Sequence, residues 1–384
     1  MGPLAGIRIV EIAGIGPGPY CAMLLADLGA TVIRVDRPGA SNLGVPLPPA
    51  LDLLNRSRPS IAVDLKQAGG ADIVLRLVEG ADGLIEGMRP GVMERLGLGP
   101  ADCHARNPRL VYGRVTGWGQ EGPRAATAGH DINYIAVAGA LGAVGRPGGT
   151  PVPPLNLIGD YGGGAMYLAV GMLAALLSAK ATGVGQVVDT AMVDGAAQLM
   201  TMFHALAAAG QWPGDRGENI LDGGAPFYDT YETRDGRFVA VGAIEAKFYA
   251  QLLEGLGLSP ADLPDQNDRA GWPVLRETFA AAFNTRTRDE WAVTFADTDA
   301  CVTPVLDRDE VAADPHLASR QTMIEVGGVT QPAPAPRFSK TVLDRPSAPV
   351  APGTDTREIL RDAGFGGAEI ETLIADQVVY EASP

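Results

Sequence analysis

Apolar and polar positions along the first half of the chain alternate between short strand-like runs and segments of helical period. Residues 6–12 read as a buried strand, residues 14–19 as a glycine- and proline-rich turn, and residues 20–28 as a helix. Residues 29–36 give a second strand, completing a strand–helix–strand unit. Further strands are predicted at residues 60–65, 83–86, 110–115 and 185–190, with a helix at 68–79. The spacing predicts a helix from Asp131 to about Gly139. A second helix should follow Gly162-Gly163-Gly164 and run toward Lys180, and a long apolar one should cover residues 192–209. The result is an α/β fold with a large parallel sheet.

Beyond residue 209 the pattern changes. Residues 210–226 are rich in glycine and proline and mark a boundary. Residues 227–233 and 237–242 flank the turn Arg234-Asp235-Gly236 and predict a hairpin. Helices are expected at 248–256, 273–283 and 288–297, with a short apolar segment at 301–306 and a small helix at 309–313. This second domain reads as α+β. Residues 332–336 alternate proline and alanine, a stiff connector. Helices at 355–364 and 367–377 end the chain. The expected organisation is a large domain of residues 1–209 plus 335–384, a linker at 210–226, and a small domain at 227–330 inserted late.

Composition narrows the function classes. The 384 residues carry a net charge of −15, which opposes non-specific nucleic-acid binding but permits a local basic pocket. Three widely spaced cysteines, Cys21, Cys103 and Cys301, form neither a metal-ligand spacing nor a disulfide framework, so a reducing, cytoplasmic setting is expected. Residues 162–179 are long and apolar enough for a membrane check. Their opening glycines, their alanine content and the preceding Asp160 favour a buried domain helix, with no membrane insertion. The first strand–helix–strand unit looks like a nucleotide-binding start. However, Pro17 and Pro19 stand where a dinucleotide fingerprint needs free amides, which argues against NAD or FAD.

Candidate chemistry gathers in two stretches. Gly129-His130-Asp131-Ile132-Asn133-Tyr134 places an imidazole at a helix start, with Asp131 able to cap the first turn. There the positive end of the helix favours the neutral imidazole a base needs. Asp160 precedes Gly162-Gly163-Gly164, and the amides of that glycine run, or those beside His130, are candidates to receive an enolate oxygen. If the chain folds back, His130 and Asp160 are suited to proton transfer on opposite faces of a carbon. Arg37, Arg58 and Arg89 recur after strands, a placement suited to phosphate or carboxylate binding.

Several stretches together resemble the alpha-methylacyl-CoA racemase branch of the family III CoA-transferase superfamily. They are residues 11–19, Val35-Asp36-Arg37-Pro38-Gly39, residues 128–134, 155–164 and 219–228, and Val241-Gly242-Ala243-Ile244-Glu245. The resemblance implies a Rossmann-like large domain, a smaller inserted domain and an interlocked homodimer. It implies a 2-methylacyl-CoA thioester as substrate, with no cofactor beyond the CoA that the substrate carries and no metal. His130 and Asp160 then correspond to the two acid/base residues, and Glu245 to a small-domain carboxylate reaching the other subunit's His130. Arg37, Arg56, Ser57, Arg58, Arg89, Gly129, Asp131, Ile132, Asn133 and Tyr134 correspond to CoA contacts. Pro59 departs from the family pattern, where an arginine is usual, and Ala246-Lys247 replaces a common Pro-Gln. The activity implied is inversion of the α-carbon through an enolate. Alternatives on the same sequence are an acyl-CoA:carboxylate CoA-transferase with Asp160 as nucleophile and a non-catalytic acyl-CoA-binding protein.

Overall fold

The strand pattern of the first half closes into one sheet. The computed structural model describes residues 2–39 and 44–382. Six parallel strands are β1 (Arg8–Ile12), β2 (Thr31–Asp36), β3 (Ser60–Val63), β4 (Gly83–Glu86), β5 (Val111–Thr116) and β6 (Val187–Ala191). They lie in the order 3-2-1-4-5-6, the doubly wound arrangement, and Val379–Tyr380 adds an antiparallel edge beside β3. Both faces are covered, so the strands read as near-continuous apolar runs. Val10, Ile33, Leu84 and Tyr112 face one core with the helix Gly70–Glu79 and the C-terminal helices. Ile9, Val32, Ile85 and Val111 face the other, under the helices Pro17–Asp27 and Tyr167–Thr182.

The chain divides into two compact units at boundaries that differ from those read in the sequence. One comprises Met1–Ala138, Leu155–Leu199 and Pro315–Pro384; the other comprises Gly139–Pro154 and Met200–Asp314. Residues 139–154 belong to the second unit because that unit binds them. Arg146 donates to Asp229 at 2.6 Å, and Arg216 donates to the Gly142 carbonyl at 3.0 Å. The second unit carries the expected hairpin, β7 (Tyr228–Glu232) and β8 (Phe238–Gly242), with β9 (Val302–Pro304) antiparallel beside β8. An aromatic core of Phe227, Phe279, Phe283 and Trp291 fills it. Met323–Val326 and Val329–Pro332, not anticipated, form a separate hairpin within the first unit.

Two local expectations change. The prolines expected in a turn open a helix instead, at Pro17, where a missing N–H costs nothing. The apolar run at 192–209 breaks at Met200 into Met192–Leu199 and Thr201–Ala208. The long apolar segment Leu157–Thr182 has the length and composition of a membrane span, but Leu168, Met172, Leu176 and Ala179 are buried against the sheet.

The carboxyl ends of the central strands are tied by buried ion pairs. Glu11 on β1 meets Arg58, and both side chains are almost fully enclosed. Burial pushes Glu11 above its ordinary range and Arg58 below its own, while their direct pairing opposes both shifts. Arg34 donates to Asp36 at 2.7 Å and to the Val350 carbonyl at 3.0 Å, and Arg114 pairs with Glu86 at 2.7 Å. Removing one member strands its partner in a low-dielectric interior. Arg58→Met should therefore destabilise the protein by about 3–5 kcal/mol in urea unfolding. A loss below roughly 1 kcal/mol, the range of exposed pairs, would show that the pair does not hold the carboxyl end of β1.

Candidate active site

His130 precedes the helix Asp131–Val137 in extended conformation, with φ −130° and ψ 174°. Its N–H donates to Asn133 Oδ1 at 3.0 Å, and Asn133 N–H returns a bond to the His130 carbonyl at 2.8 Å. The helix start is thus closed by His130 and Asn133, not by Asp131 as expected. Tyr134 is buried, edge-on to Trp118 at 4.8 Å between centroids, and its hydroxyl donates to the Gly129 carbonyl. A Cβ at Gly129 or Gly117 would strike that ring, so glycine is required at both. The imidazole is left on an exposed position.

Asp160 does not precede a helix; it lies within one. Leu157–Met166 is a π-helix that runs directly into Tyr167–Thr182. Such wide turns are rare and concentrate at functional sites. The amides of Gly162-Gly163-Gly164 are inside this helix, bonded back to carbonyls five residues earlier, so they are not free to receive an enolate oxygen. The glycines serve packing. A Cβ on Gly163 would lie 2.6 Å from the Ala196 nitrogen, and one on Gly195 would lie 2.0 Å from the Gly163 oxygen.

Around the Asp160 carboxyl, Asn156 Nδ2 donates to Oδ2 at 3.0 Å, and the Asp160 N–H donates to Asp131 Oδ2 at 2.7 Å. Burial holds the Asp160 carboxyl above the usual carboxylate range. The Asn156 hydrogen bond lowers it, the Asp131 charge raises it further, and His130 lowers it. The fold therefore brings His130 and Asp160 into one electrostatic neighbourhood. Asn156 and Gly16 are site residues that sequence reasoning did not single out. Asn156 lies four positions before Asp160, a helical spacing that was available as a signal. Gly16 approaches from a distant element and left no such signal.

The arginines separate into two groups. Arg37, just after β2, and Arg89, beyond β4, are exposed, and Arg89 acts electrostatically on Tyr134. Arg56 is buried against Asp27 at 2.5 Å and the Pro332 carbonyl at 2.7 Å. Arg58 is committed to Glu11, the Leu54 carbonyl and Asn55. Ser57, at φ 59°, exchanges hydrogen bonds with Ser347 in both directions. The Arg56 and Arg58 guanidiniums, expected at CoA, are thus engaged within the protein, while Ser57 between them is half-buried. Of the 129–134 stretch, Ile132 and Asn133 are exposed, Gly129 is half-buried, and Asp131 and Tyr134 are buried. Among the described residues, no three His, Cys, Asp or Glu side chains group as a metal-ligand set.

Glu245 lies in the second unit, exposed, immediately before the helix Ala246–Leu256, which starts earlier than expected. Nearby Cys301 lines a cavity of about 600 Å³ together with Arg146, Tyr228 and Asp229. Burial and then the Glu245 charge push the Cys301 thiol up.

A family model, CoA-transferase family III, matches residues 4–356. The chain is 46% identical over 379 residues to alpha-methylacyl-CoA racemase of Mus musculus, covering 98% of this chain and 97% of that protein. It is 44% identical to the Homo sapiens protein of the same name, with 98% and 97% covered. Among solved structures, a CaiB/BaiF family protein from Brucella suis superposes with a TM-score of 0.83 at 25% identity, covering 94% of this chain and 99% of that one.

Gly16 has φ +69°, and a Cβ there would lie 3.1 Å from Asp160 Oδ2. Gly16→Ala should cost about 1–2 kcal/mol of stability for the left-handed backbone. It should also displace the Asp160 carboxyl in a crystal structure of the variant. An unmoved carboxyl and an unchanged melting temperature would mean that the contact does not constrain the site.

Proposed function

The chain belongs to CoA-transferase family III, and from that premise we propose that it is a racemase inverting the α-carbon of 2-methylacyl-CoA thioesters. The observation that carries this reading is the pairing of an exposed imidazole, His130, with a half-buried carboxyl, Asp160, held above its ordinary range. Inversion needs an ionised or neutral base on one face of the carbon and a protonated acid on the other. A neutral histidine and a protonated aspartic acid supply that pair, and they exchange roles when the reaction reverses. The α-proton of a thioester is weakly acidic, so the carbonyl oxygen must be stabilised as charge moves onto it. With the glycine amides occupied, and those of Asn133 and Tyr134 bonded to the His130 carbonyl, the Asp131 and Ile132 amides are the candidate donors for that oxygen. Exposed Arg37 and Arg89 suit the CoA phosphates, and Arg89 stands beside the helix that His130 begins.

The experiment is proton exchange in heavy water from each pure enantiomer, read by mass spectrometry and chiral analysis. Wild type should racemise both with solvent deuterium at the α-carbon. Asp160→Asn should stop inversion while His130 still exchanges one enantiomer with retention, and His130→Ala should exchange only the other. Near-normal racemisation by either variant would overturn the two-base assignment. Acyl-CoA-dependent labelling of Asp160 by hydroxylamine, without α-exchange, would favour CoA transfer through an anhydride instead.

The same reading includes an interlocked homodimer in which Glu245 of the partner subunit approaches His130. The helix Thr201–Ala208 supports it: Met202, Phe203 and Leu206 make it apolar, yet none of its residues is buried within the chain. Inactive His130→Ala and Glu245→Ala chains, refolded together, should regain part of the activity through mixed sites. A fully active monomer in gel filtration would exclude the arrangement.

A further inference from the structure

We propose that Asp131 is a positioning residue for Asp160, fixing its backbone and setting a buried negative charge beside its carboxyl, a role that rests on the two-base reading. An acidic residue in the first turn of a helix ordinarily stays in solvent and gains only from the helix dipole. Asp131 is instead 6% exposed. Its Oδ2 accepts the Asp160 N–H at 2.7 Å, from a residue 29 positions away. Gly159 makes room for it, since a Cβ there would lie 2.6 Å from Oδ2. Oδ1 has no hydrogen-bond partner among the described residues.

A buried carboxylate satisfied on one oxygen is costly. An asparagine would accept the same N–H without burying a charge, so the hydrogen bond alone does not explain an aspartate here. What the acid adds is charge. The groups around Asp160 are few: His130 and Asp131 at one helix start, Asn156 on its own segment, and the Gly16 backbone opposite. Tyr134 lies farther along the first helix, Tyr20 stacks on Tyr161 at 4.4 Å, and Asp194 is exposed on Met192–Leu199. Of these, the Asp131 carboxylate favours a protonated Asp160. It also directly follows His130, so one residue links the two proton-transfer groups.

The test separates charge from hydrogen bonding. Asp131→Asn keeps an acceptor for the Asp160 N–H and removes the charge, whereas Asp131→Ala removes both. The Asp160 titration is read by carboxyl ¹³C NMR on the full-length protein, assigned with Asp160→Asn. In Asp131→Asn the midpoint should move to lower pH, because a repelling charge has gone. Less Asp160 is then protonated at neutral pH. For the enantiomer deprotonated by His130, the ratio of exchange with retention to inversion should therefore rise several-fold. Asp131→Ala should show the same shift and lose further activity, with thermal melting reporting its folding. An Asp160 midpoint that does not move in Asp131→Asn, or an unchanged exchange-to-inversion ratio, overturns the proposal. If wild type exchanges no α-proton, the racemase reading falls, while the NMR midpoint still decides the coupling between Asp131 and Asp160.

Discussion

The close approach of two backbones, Gly163 in the π-helix and Gly195 in Met192–Leu199, sets the geometry on which the site depends. Side chains of any size there would force the helices apart, because each Cβ would meet main-chain atoms that cannot rotate away. With the helices in contact, Gly164 is pressed against Met192 and Pro17, and the start of Pro17–Asp27 reaches Asp160. The depth at which the carboxyl sits, and hence its desolvation, follows from this packing. A glycine run that looks like an anion cradle in sequence acts here as a spacer of zero thickness.

A second constraint governs charge at the carboxyl ends of the strands. Doubly wound sheets bind ligands there, which makes cations after strands natural candidates for phosphate contacts. The fold uses several of them differently. The guanidiniums of Arg34, Arg56, Arg58 and Arg114 are enclosed and paired with Asp36, Asp27, Glu11 and Glu86. Exposed Arg37 and Arg89 remain open to a ligand. The division is one of burial rather than of spacing from a strand.

Much of the architecture was legible. Alternating strand and helix periods located β1 to β6, and the turn Arg234-Asp235-Gly236 located β7 and β8, because each depends on local pattern. The motif stretches also pointed to the two residues that the fold brings together. What escaped depends on residues distant in sequence. The capture of 139–154 by the second unit rests on Arg146 reaching Asp229, and the burial of Arg58 rests on Glu11. Neither partner is visible from a local window. The π-helix was missed for another reason: its glycines look like an interruption, and only contact with Gly195 makes a wide continuous turn favourable.

The edge strand Val379–Tyr380 has a consequence for how the molecule is made. It pairs with β3, and the helix beside it binds the same strand, with Thr356 accepting the Ala62 N–H across 294 residues. A ribosome emits β3 long before this cover exists. During that interval the nascent sheet carries an open ladder of unpaired amides, a template for wrong partners. Closure of so distant a contact is slow by its topology. An element that emerges long after β3 is thus the one that seals this side of the sheet against aggregation, and termination upstream of it would yield a chain with a sticky rim.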